Sequence, residues 1–254
     1  MQATAKDYSH LVRKSVRTDK EDNMATRPIF IPEVTNLGLV RVENVNFTWH
    51  AGMAKSQKQM SMRSLHAAAQ NLYPKARILE VSRMSDQSLG AQLSAFNLTF
   101  KPDGYANEVS VECAFQASKI FERGGPYLDL LAASPADAKG DPRLKESGRL
   151  IGFRFLDEDW SNKPPTAFYD WIYINALSQK PSLCEGVLNY DIFTDIAFNP
   201  EKSINCQAGA VALYVALERR KEFDAVIKSK QDFLKVEASA FNKVCATDSQ
   251  GRLI

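Results

Sequence analysis

Histidine is scarce in this chain: three in 254 residues, His10, His50 and His66. A His-rich metal centre cannot be assembled from them, and a Ser-His-Asp triad would have to recruit one of the three. The four cysteines, at 113, 184, 206 and 245, nowhere adopt CxxC spacing and sit inside apolar-periodic segments. They read as buried free thiols rather than as zinc ligands or a redox pair. An excess of one charge is missing too, since 32 Lys and Arg stand against 30 Asp and Glu for a net charge of +2. Global electrostatics therefore make no case for nucleic-acid or membrane binding, and any such contact has to come from a local patch. No stretch approaches the roughly 18 apolar residues of a membrane span, and the N-terminus has no apolar signal segment. The chain reads as cytoplasmic, with no membrane partner. Internal repeats and low-complexity linkers are absent as well. What remains is 44% apolar and 24% charged residues, an ordinary globular composition.

Residues 1–23 are polar, with apolar positions only at Tyr8, Leu11, Val12 and Val16, and are expected to form a flexible extension. Alternating β-branched and aromatic residues predict strands at 28–32 and 39–49 about a turn at 36–38. Short strands are expected again at 76–81, 98–100 and 150–155. Helical periodicity covers 61–72, 87–93 and 111–121, with Ser110 as the N-cap of the last and the Gly-Gly-Pro at 124–126 as its stop. Helices are expected further on at 127–133, 135–139, 142–148, 167–179, 183–188 and 205–220. A charged amphipathic tail helix, whole or interrupted, spans 222–241. The expected fold is a single α+β domain, predominantly helical with short strands, over 27–220, with a helical tail at 221–254.

Three segments carry residues suited to chemistry. From position 50 to 79 there are five basic residues, Lys55, Lys58, Arg63, Lys75 and Arg77, and no acidic one, which makes this window a candidate anion-facing surface. On the helix beginning at Val111, the residues Glu112, Gln116 and Lys119 fall at i, i+4 and i+7, so a carboxylate, an amide and an ammonium share one face. Such a stripe is ordinarily solvated. The remaining Val, Cys, Ala, Phe and Ile argue for burial, and a buried Glu and Lys must be paired or line a cavity, where a carboxyl group can serve as general acid or base. The third segment, from Phe193 through Asp195 to Asn205, interrupts apolar residues with turn formers ahead of a helix. It is either a simple capping loop or an anion site at the helix N-terminus. Trp160, in the loop sequence DEDWSNKPP, is either core or a stacking platform.

Taken together these segments resemble the NADAR (YbiA-like) family, whose pattern pairs an F/L-S-x-F element with a downstream E-x-x-x-Q-A-x-K-F/I helix. Here they are Leu93-Ser94-Ala95-Phe96-Asn97 and Glu112 to Phe121, with Trp160 as the later tryptophan and Asp195 in an F-T-D where the family has W-G-D. The stretches WHAGMAKSQKQMSMRSLH, LSAFNLTF, FERGGPYLDL, AFYDWIYINAL and FTDIAFNPEKSINCQA are similar to the subgroup found beside DarT-type toxins, over residues 27–220. The resemblance implies an ADP-ribosyl hydrolase, an N-glycosidase that removes ADP-ribose from guanine bases of DNA, releases free ADP-ribose and acts as antitoxin to a DarT-type toxin without a cofactor or metal. It implies Glu112 as general acid/base and a lysine able to form a Schiff base at the sugar, Lys58 being favoured over Lys119. Asp195 would orient ribose hydroxyls or activate water, and Trp160 and Phe96 would wall the pocket. Ser94, Asn97, Gln116, Lys119, Gly124, Gly125, Tyr127 and Asn205 would complete the ADP-ribose site. Lys55, Arg63, Lys75 and Arg77 would face the DNA backbone. Two other readings stand beside this one: an N-glycosidase for phosphoribosylated intermediates of the riboflavin pathway, and a non-catalytic module that binds ADP-ribose or NAD.

Overall fold

Apolar side chains alternate along residues 24–32 and 40–48, and in the computed structural model, which describes residues 23–35, 38–201 and 203–243, the two segments pair. Strand β1 (Met24–Pro32) runs antiparallel to β2 (Val40–Thr48), with Met24 opposite Thr48 and Pro32 opposite Val40. Helix α1 (Lys55–Leu72) turns Met62, Leu65 and Ala69 inward, a stripe at helical spacing. It leads to β3 (Ile78–Glu80) and the short α2 (Ser88–Gln92). Strands β4 (Thr99–Phe100) and β5 (Val109–Ser110) form a small antiparallel pair that delivers the chain into α3 (Val111–Ala117).

The helix expected at 111–121 ends at Ala117. Ser118 caps it by donating its hydroxyl to the Ala114 carbonyl (2.7 Å), and Lys119 opens β6 (Lys119–Phe121), facing Phe153 across a ladder. Strand pairing with a distant segment here overrides helical periodicity. A 3-10 turn at Leu128–Ala132 and the short helices α4 (Pro135–Gly140) and α5 (Arg143–Glu146) precede β7 (Leu150–Phe155). The loop expected around Trp160 contains β8 (Glu158–Ser161), which forms a hairpin with β7. Its turn is made by Leu156 and Asp157, both left-handed (φ 48° and 63°), the backbone that matches strand twist in a two-residue hairpin.

Helices α6 (Ala167–Ser178) and α7 (Pro181–Val187) follow, then β9 (Ile192–Thr194) and α8 (Gln207–Arg220). The tail is interrupted: α9 (Phe223–Ile227) stops and α10 (Lys230–Ala240) restarts under a Ser229 cap that accepts from the Asp232 amide (3.1 Å). Strand β10 (Phe241–Lys243) then pairs parallel to β2. The main sheet has the order β10-β2-β1-β9-β3, and β6-β7-β8 form a second, smaller sheet. Residues 208–217 of α8 are all buried, because this helix lies between the main sheet and α6. Gly209 lets it approach: a Cβ there would stand 3.2 Å from the Phe30 ring.

The architecture is α+β, with 44% helix against 20% strand, a more even balance than the helix-dominated expectation. Phe223, Val226 and Phe233 bring the tail helices into the main core. The expected extension at 1–23, apart from Asn23, lies outside the described residues, as do Cys245 and the chain beyond 243. Among the described residues no helix is long and apolar enough to cross a membrane.

Candidate active site

Helix α3 is wholly buried, and its first turn is fixed from outside. Ser110 accepts from the Cys113 amide (3.1 Å), while the amides of Val111 and Glu112 donate to the carbonyls of Leu98 (3.0 Å) and Ala95 (2.9 Å). The Ala95 amide in turn donates to Gln207 Oε1 (2.8 Å) at the start of α8. The Leu-Ser-Ala-Phe-Asn turn therefore ties the beginnings of two core helices together. On α3, Glu112 is 5% exposed and its Oε1 accepts from Gln116 Nε2 (2.8 Å) and faces Lys139 Nζ of α4 at 3.8 Å. Gln116 Oε1 is buried with no hydrogen-bond partner among the described residues. Lys119 lies with its Nζ 4.7 Å from the centre of the Phe115 ring. Burial lowers its pKa to about 8, against the opposing field of Glu112, and Lys139 pushes the same way as burial.

Asp195 follows β9 and is 7% exposed. Burial raises its pKa to about 6, opposed by hydrogen bonds from the amides of Ala197 (2.9 Å) and Phe198 (3.2 Å), from Gln207, and by the charge of Lys139. Lys139 thus acts on both carboxyl groups. Tyr169 of α6 packs edge-on to Phe115 (centroids 5.1 Å apart) and lies in the fields of both Glu112 and Asp195. Beneath Asp195 is Glu80, the last residue of β3, at 1% exposure. Its carboxyl group accepts from the Ile196 amide (2.9 Å), the Thr194 hydroxyl (2.7 Å) and Ser82, so it grips the residues on either side of Asp195. His66 Nε2 lies 2.8 Å from Thr194 Oγ1 at the far end of this chain, and burial lowers its pKa to about 4, which leaves the ring neutral near pH 7. Burial, then the charge of Asp195, pushes Glu80 up to about 8. Burial and mutual repulsion raise both carboxyl groups, so the pair retains a proton to higher pH than free carboxylates do.

Phe96 stands at the rim, half-buried, with the Arg83 guanidinium 4.1 Å from its ring centre and Lys139 Nζ at 5.3 Å. Arg83 and Lys139 were not singled out in the sequence, nor was Glu80; the only local signal for the last is an acid closing a short apolar strand. Asn205, just ahead of α8, has a buried Oδ1 with no hydrogen-bond partner among the described residues, as does Gln116 Oε1. Unpaired buried amide oxygens are rare in folded proteins and suit a bound donor.

Most of the other expected residues are committed to packing or to local contacts. Trp160 is core: it is 3% exposed, packs on Phe168 and Trp171, and is covered by Lys230. Gly124 and Gly125 make room for the chain itself, since a Cβ on either would strike the Tyr127 hydroxyl or the Lys119 carbonyl. Tyr127 spends its hydroxyl on Ser147 and its ring on Arg143. Asn97 donates to the Ala91 carbonyl (2.8 Å), and Ser94 accepts from the Phe96 amide (3.4 Å), both within their own turn. Lys58 is half-buried in the first turn of α1 and makes no ion pair among the described residues. In the basic window, Arg63 pairs with Asp86 (2.9 Å) and Arg77 with Asp191 (4.0 Å), while Lys55 and Lys75 remain exposed without such partners among the described residues. Among the described residues no three His, Cys, Asp or Glu side chains converge to hold a metal ion.

Comparison with known proteins gives one family. Residues 25–245 match the family model described as DarT1-associated NADAR antitoxin, a span that takes in the tail helices beyond position 220. No curated protein sequence matches the chain.

Proposed function

This chain belongs to the DarT1-associated NADAR antitoxin family, and from that premise we propose that it is an ADP-ribosyl hydrolase acting on ADP-ribosylated guanine in DNA, the antitoxin counterpart of a DarT-type toxin. The observation that carries the reading is the company kept by Glu112: a buried carboxyl group 3.8 Å from Lys139 and in the field of Lys119, whose pKa burial lowers to about 8, with Asp195 in the field of the same Lys139.

That set suits cleavage of an N-glycosidic bond. Glu112 gives a proton to the departing guanine nitrogen as the bond to the sugar C1 breaks. The neutral amine of Lys119 adds to C1, and opening of the sugar ring, with the ring oxygen taking up a proton, leaves an iminium between lysine and sugar. Water, its proton taken by the Asp195 carboxylate, adds to that carbon; the C–N bond to lysine breaks and ADP-ribose leaves with the amine restored. One water is consumed overall. Lys119 takes the role for which the sequence favoured Lys58, because Lys119 is the lysine that shares burial and field with Glu112. The unpaired amide oxygens of Gln116 and Asn205 would receive ribose hydroxyls.

Incubating the protein with DNA carrying ADP-ribosylguanine and measuring free ADP-ribose tests the reading. Release supports the hydrolase. Retention of ADP-ribose without release identifies a reader, and activity confined to phosphoribosylated amines identifies the other glycosidase.

A further inference from the structure

Glu80 takes no part in the chemistry described above, yet it is set deeper than either reacting acid, at 1% exposure. A carboxyl group so buried is costly unless its oxygens are satisfied, and both are. Oε1 accepts from Ser82 Oγ (2.5 Å) and the Ile196 amide (2.9 Å), and Oε2 accepts from Thr194 Oγ1 (2.7 Å). Parallel pairing puts Glu80 opposite Thr194, and the Val81 amide donates to the Thr194 carbonyl (2.7 Å), so β3 carries the carboxyl group to the turn that follows β9. The Thr194 hydroxyl gives its proton to Glu80 and receives one from His66 Nε2 (2.8 Å), which extends the network to α1. Asp195 is framed by the residues held in this way. Its Oδ1 accepts from the amides of Ala197 and Phe198, which follow directly on the Ile196 that Glu80 grips.

We propose that Glu80 is a positioning residue for the water-activating step: it anchors Thr194 and Ile196 on either side of Asp195 and, through its charge, sets how readily Asp195 takes a proton, a role that rests on the hydrolase reading. The groups that share a field with Asp195 are Glu80 on β3, Arg27 on β1, Lys139 on α4, Tyr169 and Tyr173 on α6, and Cys206 ahead of α8. Burial pushes the two phenols and the thiol well above their ordinary values, so they stay uncharged through the acid and neutral range. Arg27 and Lys139 act on Asp195 as cations. His66, whose pKa burial lowers to about 4, meets the set at Thr194. Glu80 is left as the group of like charge, and its own affinity for a proton is raised by burial and by Asp195. A carboxyl group that served packing alone could be exchanged for its amide without consequence for Asp195; a charge facing the base could not.

The test is Glu80→Gln in the full chain, read in two ways. Carbon NMR follows the titration of the Asp195 carboxyl group, its signal identified by its loss in Asp195→Asn. Steady-state assays give the pH profile of kcat and the KM for release of ADP-ribose from DNA carrying ADP-ribosylguanine. Glutamine keeps the shape and an acceptor for the Ile196 amide but removes the charge. The Asp195 midpoint and the acid limb of kcat are expected to move down by roughly one pH unit, with KM held within a few fold. Ser82→Ala removes a donor that favours the Glu80 anion and is expected to move both in the same direction by less. It carries the test alone if the unfolding midpoint shows that Glu80→Gln does not fold. An Asp195 signal and an acid limb that stay in place in the folded variants overturn the proposal, as does a loss of activity through KM alone. A moved signal in a protein whose wild type releases no ADP-ribose contradicts the hydrolase reading and upholds the hold of Glu80 on Asp195. Release by the wild type with an unmoved signal does the reverse.

Discussion

Five buried carboxyl groups lie among the described residues, and the surroundings of Glu112 and Asp195, the latter backed by Glu80, differ from those of Asp170 and Glu237. Asp170 of α6 and Glu237 of α10 lie in each other's field, Thr166 donates its hydroxyl to Glu237 Oε1 (2.9 Å), and Glu237 Oε2 is buried with no hydrogen-bond partner among the described residues. Burial, then the charge of Glu237, raises the Asp170 pKa, and burial raises Glu237 to about 7; among the described residues no cation is a cause of either shift. The pair fastens the tail to the core. Glu112 and Asp195 are as deeply set, yet Lys139 reaches both and Lys119 lies alongside. Burial of acids alone therefore does not mark a site. Cations within reach of the acids do, since an unpaired buried oxygen occurs in both places, Glu237 Oε2 among them.

The widest separation between the two pairs is expected in turnover. Glu112→Gln keeps the amide contact to Gln116 and removes the proton donor, so release of ADP-ribose falls roughly a hundredfold or more while ADP-ribose binding stays within a few fold. Glu237→Gln, equally buried, leaves turnover unchanged; steady-state release assays on the two variants decide. If both lose activity alike, the distinction drawn between the pairs is wrong.

A covalent adduct sharpens the catalytic side. Borohydride is expected to trap sugar on the wild type and on Lys58→Ala and to trap none on Lys119→Ala. The yield should climb as pH rises through about 8, where the Lys119 ammonium loses its proton. Mass spectrometry of the reduced protein reports the site, and an adduct that survives in Lys119→Ala reassigns the amine.

The structural pair should speak through stability. Glu237 holds its proton in the folded chain up to about pH 7 but releases it near its ordinary 4.5 when unfolded. Its contribution is therefore complete below about pH 4.5 and is lost as pH rises through 7. Thermal unfolding followed by circular dichroism should show the midpoint falling between pH 5 and 8, and Glu237→Gln should remove roughly a few degrees of that fall. Asp195 and Glu80 titrate in the same direction and account for the remainder. The smallest effect belongs to the exposed cations outside both pairs: replacing Lys55 and Lys75 by Ala should weaken DNA binding a few fold and lower the salt slope by roughly one per lysine.

What was legible from the sequence was local. Ser110 as an N-cap and the apolar surroundings of Glu112 each depend on neighbours within a few positions, and each is found in the structure. What was not legible depends on chain segments that meet only in space. Glu80 becomes the support of Asp195 because β3 lies parallel to β9, more than a hundred residues away. The basic window is free of acids along the chain but not in three dimensions, where Asp86 and Asp191 neutralise two of its arginines. Trp160 reads as loop because a four-residue strand is too short to show a period, and its role in the aromatic core follows from Phe168 and Trp171 on a helix still to come. Lys58 was favoured by its place in the basic stretch shared with the resembling subgroup, whereas the lowered pKa of Lys119 is a product of burial that spacing does not report.

The account turns on whether the cation-lined pair performs chemistry. Its most direct test is release of free ADP-ribose from DNA carrying ADP-ribosylguanine, with wild type and Glu112→Gln run side by side and folding checked by their unfolding midpoints. The account predicts complete release by the wild type and at most roughly one per cent of that rate from a folded Glu112→Gln. Undiminished release from that variant, or none from the wild type, would contradict it.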